Sequence, residues 1–247
     1  MNYLKHRHIT FLILLLCALA ALAQDNDKIL NQPYADQKKL HFGFSVGMNF
    51  QDINITNNGF ITEDGESWFA DVPNHSPGFN VTVLADWRLS KHFNLRISPG
   101  MYFGNKVVQY RNANGDPDAP ELSHYKQSQN IKSTYVVLPV DVKFSALRYH
   151  NMRPYFTAGA TALYNVGKSH SDQLKLKNMD MMLTLGLGCD FYLPFFKLCP
   201  EVKFCFGLRN LLEKNRPDLE ENPEMLRFTQ STDKIQNNMV VVSFYFE

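Results

Sequence analysis

The chain has 247 residues, of which 45% are hydrophobic, 13% aromatic and 20% charged, and a formal net charge of +1. A near-neutral balance with no long basic run argues against nucleic acid as a partner. Of its 4 cysteines, Cys17 lies in the N-terminal apolar run, so Cys189, Cys199 and Cys205 remain, an odd number that argues against a disulfide framework. Cys199 and Cys205 on one strand would stand about 20 Å apart, too far to bridge or to share a metal.

Residues 1–23 carry Lys5 and Arg7, an apolar run from Ile9 to Leu22, and Ala21-Leu22-Ala23 ahead of Gln24. That is the layout of a cleavable secretory signal, and cleavage is expected after Ala23. The run is shorter than the roughly 20 residues of a helical membrane span, which disfavours a retained anchor. Lipidation at Cys17 is disfavoured by the leucines in front of it, where a small residue is needed. Beyond the signal, the longest apolar runs, YVVLPV and FYLPFF, are broken by Pro139 and Pro194, so no transmembrane helix is expected. Residues 24–39 are expected to form a periplasmic lead to a domain spanning 40–247.

From residue 40 onward the chain alternates with period 2 in segments of about ten residues, the length of a transmembrane strand. In LHFGFSVGMNF, Leu40, Phe42, Phe44, Val46, Met48 and Phe50 oppose His41, Gly43, Ser45, Gly47 and Asn49. GFNVTVLADWRL (78–89) and FNLRISPGMYFG (93–104) repeat the pattern around a tight turn at Ser90-Lys91. Further segments fall near 133–146, 153–165, 180–193, 197–209 and 238–246. An all-β fold is predicted: an eight-stranded antiparallel transmembrane β-barrel with long extracellular loops (51–77, 105–132, 211–236), a medium one (166–178) and short periplasmic turns (90–92, 147–152, 194–196). The segment LEKNRPDLEENPEML within 211–236 could form a short helix with a mixed-charge face.

A soluble ligand-binding barrel also alternates, but it would carry a Lys- and Glu-rich outer face. Here the non-apolar face holds Gly43, Ser45, Gly47, Thr157, Gly159, Thr161, Gly186 and Gly188, sizes suited to a narrow, filled lumen. Aromatics cluster at two heights: Trp87, Phe93, Phe144, Phe156, Phe191, Phe244 and Phe246 near the periplasmic ends, and Phe50, Phe79, Phe103 and Tyr164 near the outer ends, as interfacial girdles do. The location that follows is a Gram-negative outer membrane, with its lipids as the surrounding partner. The terminal VVVSFYFE resembles the C-terminal strand signal of outer-membrane barrels, although it ends on Glu247.

Asp86, Arg88, Arg96, Asp141, Lys143, Asp190, Glu201 and Lys203 are predicted on the inward face, in the periplasmic half. Because unpaired buried charge is costly, a mutually paired layer that fills the barrel is expected there. Eight strands leave little room for a conducting path.

Enzymatic chemistry is not expected. His41 and Ser45 share a face but lie about 13 Å apart along the strand, and no nucleophile and base are placed together. His75, His124 and His170 fall in predicted loops. Gly186 and Gly188 form a G-x-G with Phe191 at the third glycine position and no helix following, so no dinucleotide site is expected. No spacing of His or Cys matches a metal site, the acidic loops could at most hold calcium weakly, and no cofactor is implied.

The opening NQPYADQKKLHFGFSVGMNFQDINI resembles the start of the PorT family of Bacteroidota outer-membrane barrels. The matching positions are Asn31 and Pro33 in the lead, then His41, Phe42, Gly43, Phe44, Gly47, Asn49 and Asp52. Length, eight strands and the Pro99-Gly100 step extend the likeness over the mature chain. The resemblance implies a non-enzymatic component or assembly factor of type IX protein secretion, linked in gliding bacteria to motility, with other secretion or envelope proteins as partners. The alternative is a stand-alone small barrel of the opacity or porin type, serving adhesion, envelope integrity or small-solute passage.

Overall fold

The computed structural model describes residues 31–59, 68–71, 77–112, 126–167, 176–213 and 231–247. The predicted signal at 1–23 and the lead before Asn31 lie outside them. After a 3₁₀ turn at Ala35–Gln37 come β1 (Leu40–Asn57), β2 (Trp68–Asp71), β3 (Pro77–Arg88), β4 (Phe93–Ile97), β5 (Gly100–Asn112), β6 (Lys126–Ser145), β7 (Met152–Asn165), β8 (Met179–Tyr192), β9 (Lys197–Gly207) and β10 (Thr232–Phe246). All pairings are antiparallel. β1 bonds to β10 on one side (Phe44 opposite Phe246) and to β3 on the other (Phe44 opposite Val83), which closes the sheet on itself.

Eight staves form this ring, because β4 and β5 are two halves of one. Register does not change across the break: Ala85 faces Ile97 and Thr82 faces Gly100 on β3, while Val140 faces Ile97 and Val137 faces Gly100 on β6. The gap is at Ser98-Pro99, where proline has no N–H to give to the ladder. Carbonyls still serve it, as Val83 N–H donates to Pro99 O at 2.9 Å and Ser98 N–H to Pro139 O at 3.1 Å.

Alternation becomes two environments. On β1, Phe42, Phe44, Val46 and Met48 are exposed, while Ser45, Asn49, Gln51 and Ile53 are buried in the lumen. Every strand repeats this, so the outside is a continuous apolar band and the inside is filled. In a bilayer the exposed Phe, Val and Leu meet acyl chains, and ring closure leaves no unpaired backbone edge at that depth.

Four strands run past the band into segments expected to be loops. β1 reaches Asn57, the β5–β6 hairpin holds register to Arg111–Lys126, and β10 begins at Thr232. There the outward residues turn polar (Asn54, Thr56, Lys132) while the inward ones stay buried (Ile53, Val108, Ile131, Ile235). The membrane-type alternation is lost although the strand is not. β2, also in a segment expected to be loop, pairs with Gln109–Asn112. Its other side is met by Asn57, whose side chain accepts from Ala70 N–H (3.0 Å) and donates to Ala70 O (3.1 Å). The helix expected within 211–236 falls largely on 214–230, outside the described residues.

Candidate functional site

The lumen is stacked in layers from the short-turn end to the long-loop end, which in outer-membrane barrels are the periplasmic and extracellular ends. At the periplasmic mouth lies the lead. Asn31 Nδ2 donates to Tyr192 O (2.9 Å) and Gln32 Nε2 to Leu193 O (2.8 Å). Arg148 donates to the carbonyls of Asn31 and Gln32 and stacks 3.6 Å over the Tyr192 ring. Asp36 accepts from Arg153 (3.1 Å) and from the Tyr192 hydroxyl (2.5 Å). The lead is thus bonded to turns on the far side of the barrel.

Above it is a buried ionic layer. Arg96, fully buried, donates through Nε and Nη2 to Asp86 (both 3.2 Å), through Nη1 to Glu201 (3.1 Å) and through Nη2 to Glu247 (3.0 Å). Lys143 pairs with Asp190 at 2.8 Å, and Lys203 with Asp141 at 2.6 Å and Glu201 at 3.3 Å. Lys197 joins Asp190 (3.9 Å) and also Glu247. Tyrosine rings separate the charges: Arg96 lies 4.7 Å from the Tyr245 centroid, and Lys143 lies 4.0 Å from that of Tyr155.

Membership of this layer differs from the expectation at three positions. Arg88 is outside it; as the last residue of β3 it reaches the rim, where its Nε donates to Ser90 O at 3.3 Å. Lys197 and Glu247 take part although neither is among the residues expected there. Lys197 opens β9 and its inward direction is set by one residue of parity, while Glu247 follows the last strand residue and turns in over the mouth. Among the described residues, the ion pairs of this layer join five carboxylates (Asp86, Asp141, Asp190, Glu201, Glu247) to four cations (Arg96, Lys143, Lys197, Lys203). His41, half-buried, faces Asp86 across β1–β3.

The middle of the lumen is aromatic and aliphatic, with Tyr102, Tyr135, Leu163, Met182, Met239 and Val241 in one cluster. Next comes a polar row where Lys106, 2% exposed, donates to Asn237 Oδ1 (2.7 Å) and the Tyr135 hydroxyl (3.2 Å). Ile53, Val108, Tyr110, Ile131 and Ile235 close the extracellular end with Leu211 and Leu212. Those two leucines are drawn in by backbone bonds, Leu211 N–H to Ile235 O (2.9 Å) and Lys177 N–H to Leu211 O (2.8 Å).

Gly43, Gly47 and Asn49 of the first-strand motif take part in this packing. A Cβ on Gly43 would come within 3.2 Å of Glu247 Cα, and one on Gly47 would lie 2.9 Å from Ser243 Oγ. Both glycines therefore let neighbouring strands reach across β1; over Gly47, Asn80 Nδ2 donates to Ser243 Oγ at 3.0 Å. Asn49 Nδ2 donates to Phe79 O (2.8 Å) and its Oδ1 accepts from Gln51 (2.9 Å). Asp52 accepts from Ile53 N–H at 2.8 Å. Phe42 and Phe44 face outward, and Phe44 stacks on Phe246 at 5.1 Å.

The aromatics at the ends of the band pair with each other across strands: Phe79 with Phe103 (4.4 Å) at the outer end, and Phe93 with Phe144 (5.1 Å) at the periplasmic end. Trp87 is exposed beside the latter, whereas Phe191 is half-buried between Met152 and Leu198. Phe195 and Phe196 in the β8–β9 turn add to the periplasmic set, and Phe196 lies 5.9 Å from Phe246. Ser45 is buried against Thr82 Oγ1 (2.7 Å) rather than near His41. The three described cysteines are free thiols.

A sequence model for an outer membrane protein beta-barrel domain matches residues 22–213. The chain belongs to that family. Its barrel is accordingly one of the outer membrane. No curated protein matches it. Among solved structures it is similar to Neisserial surface protein A (8% identity, 84% of this chain and 98% of that one, TM-score 0.39). It is also similar to the outer membrane protein OprG of Pseudomonas aeruginosa (11%, 84% and 92%, TM-score 0.47). A third is Ail, the attachment invasion locus protein of Yersinia pestis, solved with the heparin analogue sucrose octasulfate (10%, 85% and 99%, TM-score 0.36). At these identities nothing that those proteins bind transfers to this chain.

Proposed function

We propose that this outer-membrane barrel is a non-enzymatic component or assembly factor of type IX protein secretion, a PorT-like protein of Bacteroidota, acting through its loops and partners. The observation that carries the non-enzymatic, non-transporting part is the filled lumen. Side chains occupy it from the Asp36 strap, through the Arg96 layer, to Leu211 and Leu212. Binding surface is then left at the ends of the barrel, where loops and turns face the two aqueous sides.

The secretion reading rests on the motif of Asn31, Pro33, His41 to Phe44, Gly47, Asn49 and Asp52. Export of the chain by a signal cleaved after Ala23 belongs to the same reading, with N-terminal sequencing of the mature protein as its check. The decisive experiment is genetic: deletion is expected to leave type IX cargo proteins inside the cell, and gliding is expected to fail where the organism glides. Normal cargo secretion in the deletion strain would remove this reading in favour of a stand-alone barrel. Mild detergent extraction separates the two in the same way, since a secretion component co-purifies with other envelope proteins and a stand-alone barrel does not.

A further inference from the structure

The periplasmic rim is strongly one-signed. Lys38, Lys39 and Lys91 are exposed and Arg88 is half-buried at the edge. Asp36 is the one carboxylate side chain at this rim among the described residues outside the buried layer, and it is taken up by Arg148 and Arg153. Lys38, Lys39, Arg88 and Lys91 make no ion pair among the described residues.

These four cations are grouped by the fold. Arg88 N–H donates to Lys39 O at 2.9 Å, which sets the two residues side by side where the lead enters β1. Leu89 and Ser90 N–H both donate to Phe93 O at 2.9 Å and make the tight turn that carries Lys91. Arg153 Nη2 donates to Lys91 O at 2.7 Å and so holds that turn from the neighbouring side. On the lipid-facing side of the same strand ends lies an apolar shelf, Leu40 (46% exposed), Trp87 (56%) and Leu89 (57%), with Leu40 opposite Trp87 in register; Arg88, in phase with Asp86, comes to the rim from the lumen side between Trp87 and Leu89. The shelf continues the lipid-facing band. The opposite turn, Leu193 to Phe196, carries no charge at all.

We propose that the Lys38–Lys39 and Arg88–Lys91 corner is a binding site for the headgroup phosphate of an anionic phospholipid of the periplasmic leaflet, whose acyl chains lie on the Leu40, Trp87 and Leu89 shelf. Cations at a membrane surface attract anionic headgroups, tryptophan favours headgroup depth, and lysine and arginine stems extend along apolar surface to place their charge there. A phospholipid meets both halves of the corner, charge at the rim and hydrocarbon on the lipid-facing strand ends; an acidic soluble protein would meet only the first. The inference stands on the outer-membrane placement and is independent of the secretion reading.

The test uses the full chain, folded in dodecyl maltoside micelles with equimolar phosphatidylglycerol and phosphatidylethanolamine, and native mass spectrometry of the retained lipids. Each cation that touches the phosphate is expected to contribute a factor of about five in retention. Wild type should retain phosphatidylglycerol preferentially, and Lys38→Gln, Lys39→Gln, Arg88→Gln and Lys91→Gln combined should abolish the preference. A control with Lys132→Gln, Lys177→Gln and Arg209→Gln, all exposed at the other end of the barrel, should keep it. The single change Lys91→Glu, on an exposed turn, should lower the preference several-fold. Heat-modifiable migration in gels confirms that each variant is folded. Equal retention of the two lipids by wild type overturns the proposal, as does a preference that survives the fourfold change. An unchanged lipid preference together with loss of a co-purifying acidic protein would overturn it in favour of a protein site.

Discussion

Arg96→Met removes the hub of the buried layer while keeping most of its volume. The guanidinium touches Asp86, Glu201 and Glu247 at 3.0–3.2 Å, and all of these side chains are at most 1% exposed. Breaking a buried ion pair costs about 3–5 kcal/mol, because the partner stays behind uncompensated. Lys203 still serves Glu201 at 3.3 Å and Lys197 still serves Glu247, so Asp86 is left worst off, keeping a bond from Asn94 at 2.5 Å. We therefore expect a loss near the middle of that range, about 4 kcal/mol at neutral pH. Adding Asp86→Asn should recover part of it at neutral pH. The assay is equilibrium guanidinium unfolding in phospholipid micelles, followed by tryptophan fluorescence and compared at constant m. A loss below about 1 kcal/mol at neutral pH would refute the reasoning, since that is the value of an exposed pair.

Three other outcomes follow from the same geometry. Asp36→Asn weakens the strap's link to Arg148, Arg153 and Tyr192, so limited proteolysis should cut before residue 40 faster than in wild type while the barrel stays resistant; unchanged cleavage would contradict the docked lead. Gly47→Val drives side-chain carbon against Ser243 and breaks the Asn80–Ser243 bond, with an expected loss of about 1–3 kcal/mol from overpacking in the same unfolding assay. Leu212→Ala opens the buried extracellular cluster and should cost about 2–4 kcal/mol if the plug packs as a core does; a change within a few tenths would mean that it does not.

Much of the barrel can be read from period-2 alternation, because lipid outside and a narrow lumen inside impose opposite demands on neighbouring residues. Phe42, Gly43, Phe44 and Ser45 state both demands in four positions. The same signal fails above the membrane, where water replaces lipid: in β5, Lys106 and Val108 still point inward and are buried, but their outward neighbours no longer need to be apolar. Hence the outer ends of β1, β5, β6 and β10 read as loop. Charged lumen residues are legible where they sit inside a clear strand, as Arg96, Asp141 and Lys203 do. Lys197, Arg88 and Glu247 lie at strand ends, where parity is ambiguous and one residue decides between lumen and rim. Lys106 is hidden differently: its ladder partner Ile131 is apolar, but both lie in 105–132, where the outward residues are no longer consistently apolar and the segment reads as a solvated loop. Which acid meets which base depends on stave order and tilt, since Arg96 and Glu201 lie on staves far apart in sequence.

The filled lumen is tested most directly by electrical recording of the purified, refolded chain in planar bilayers. Incorporation confirmed by heat-modifiable migration should give no stable conductance steps at neutral pH, because the ionic layer, the tyrosine and methionine cluster and the Leu211–Leu212 plug each close the path. Reproducible ion-conducting steps from the wild-type chain would contradict it.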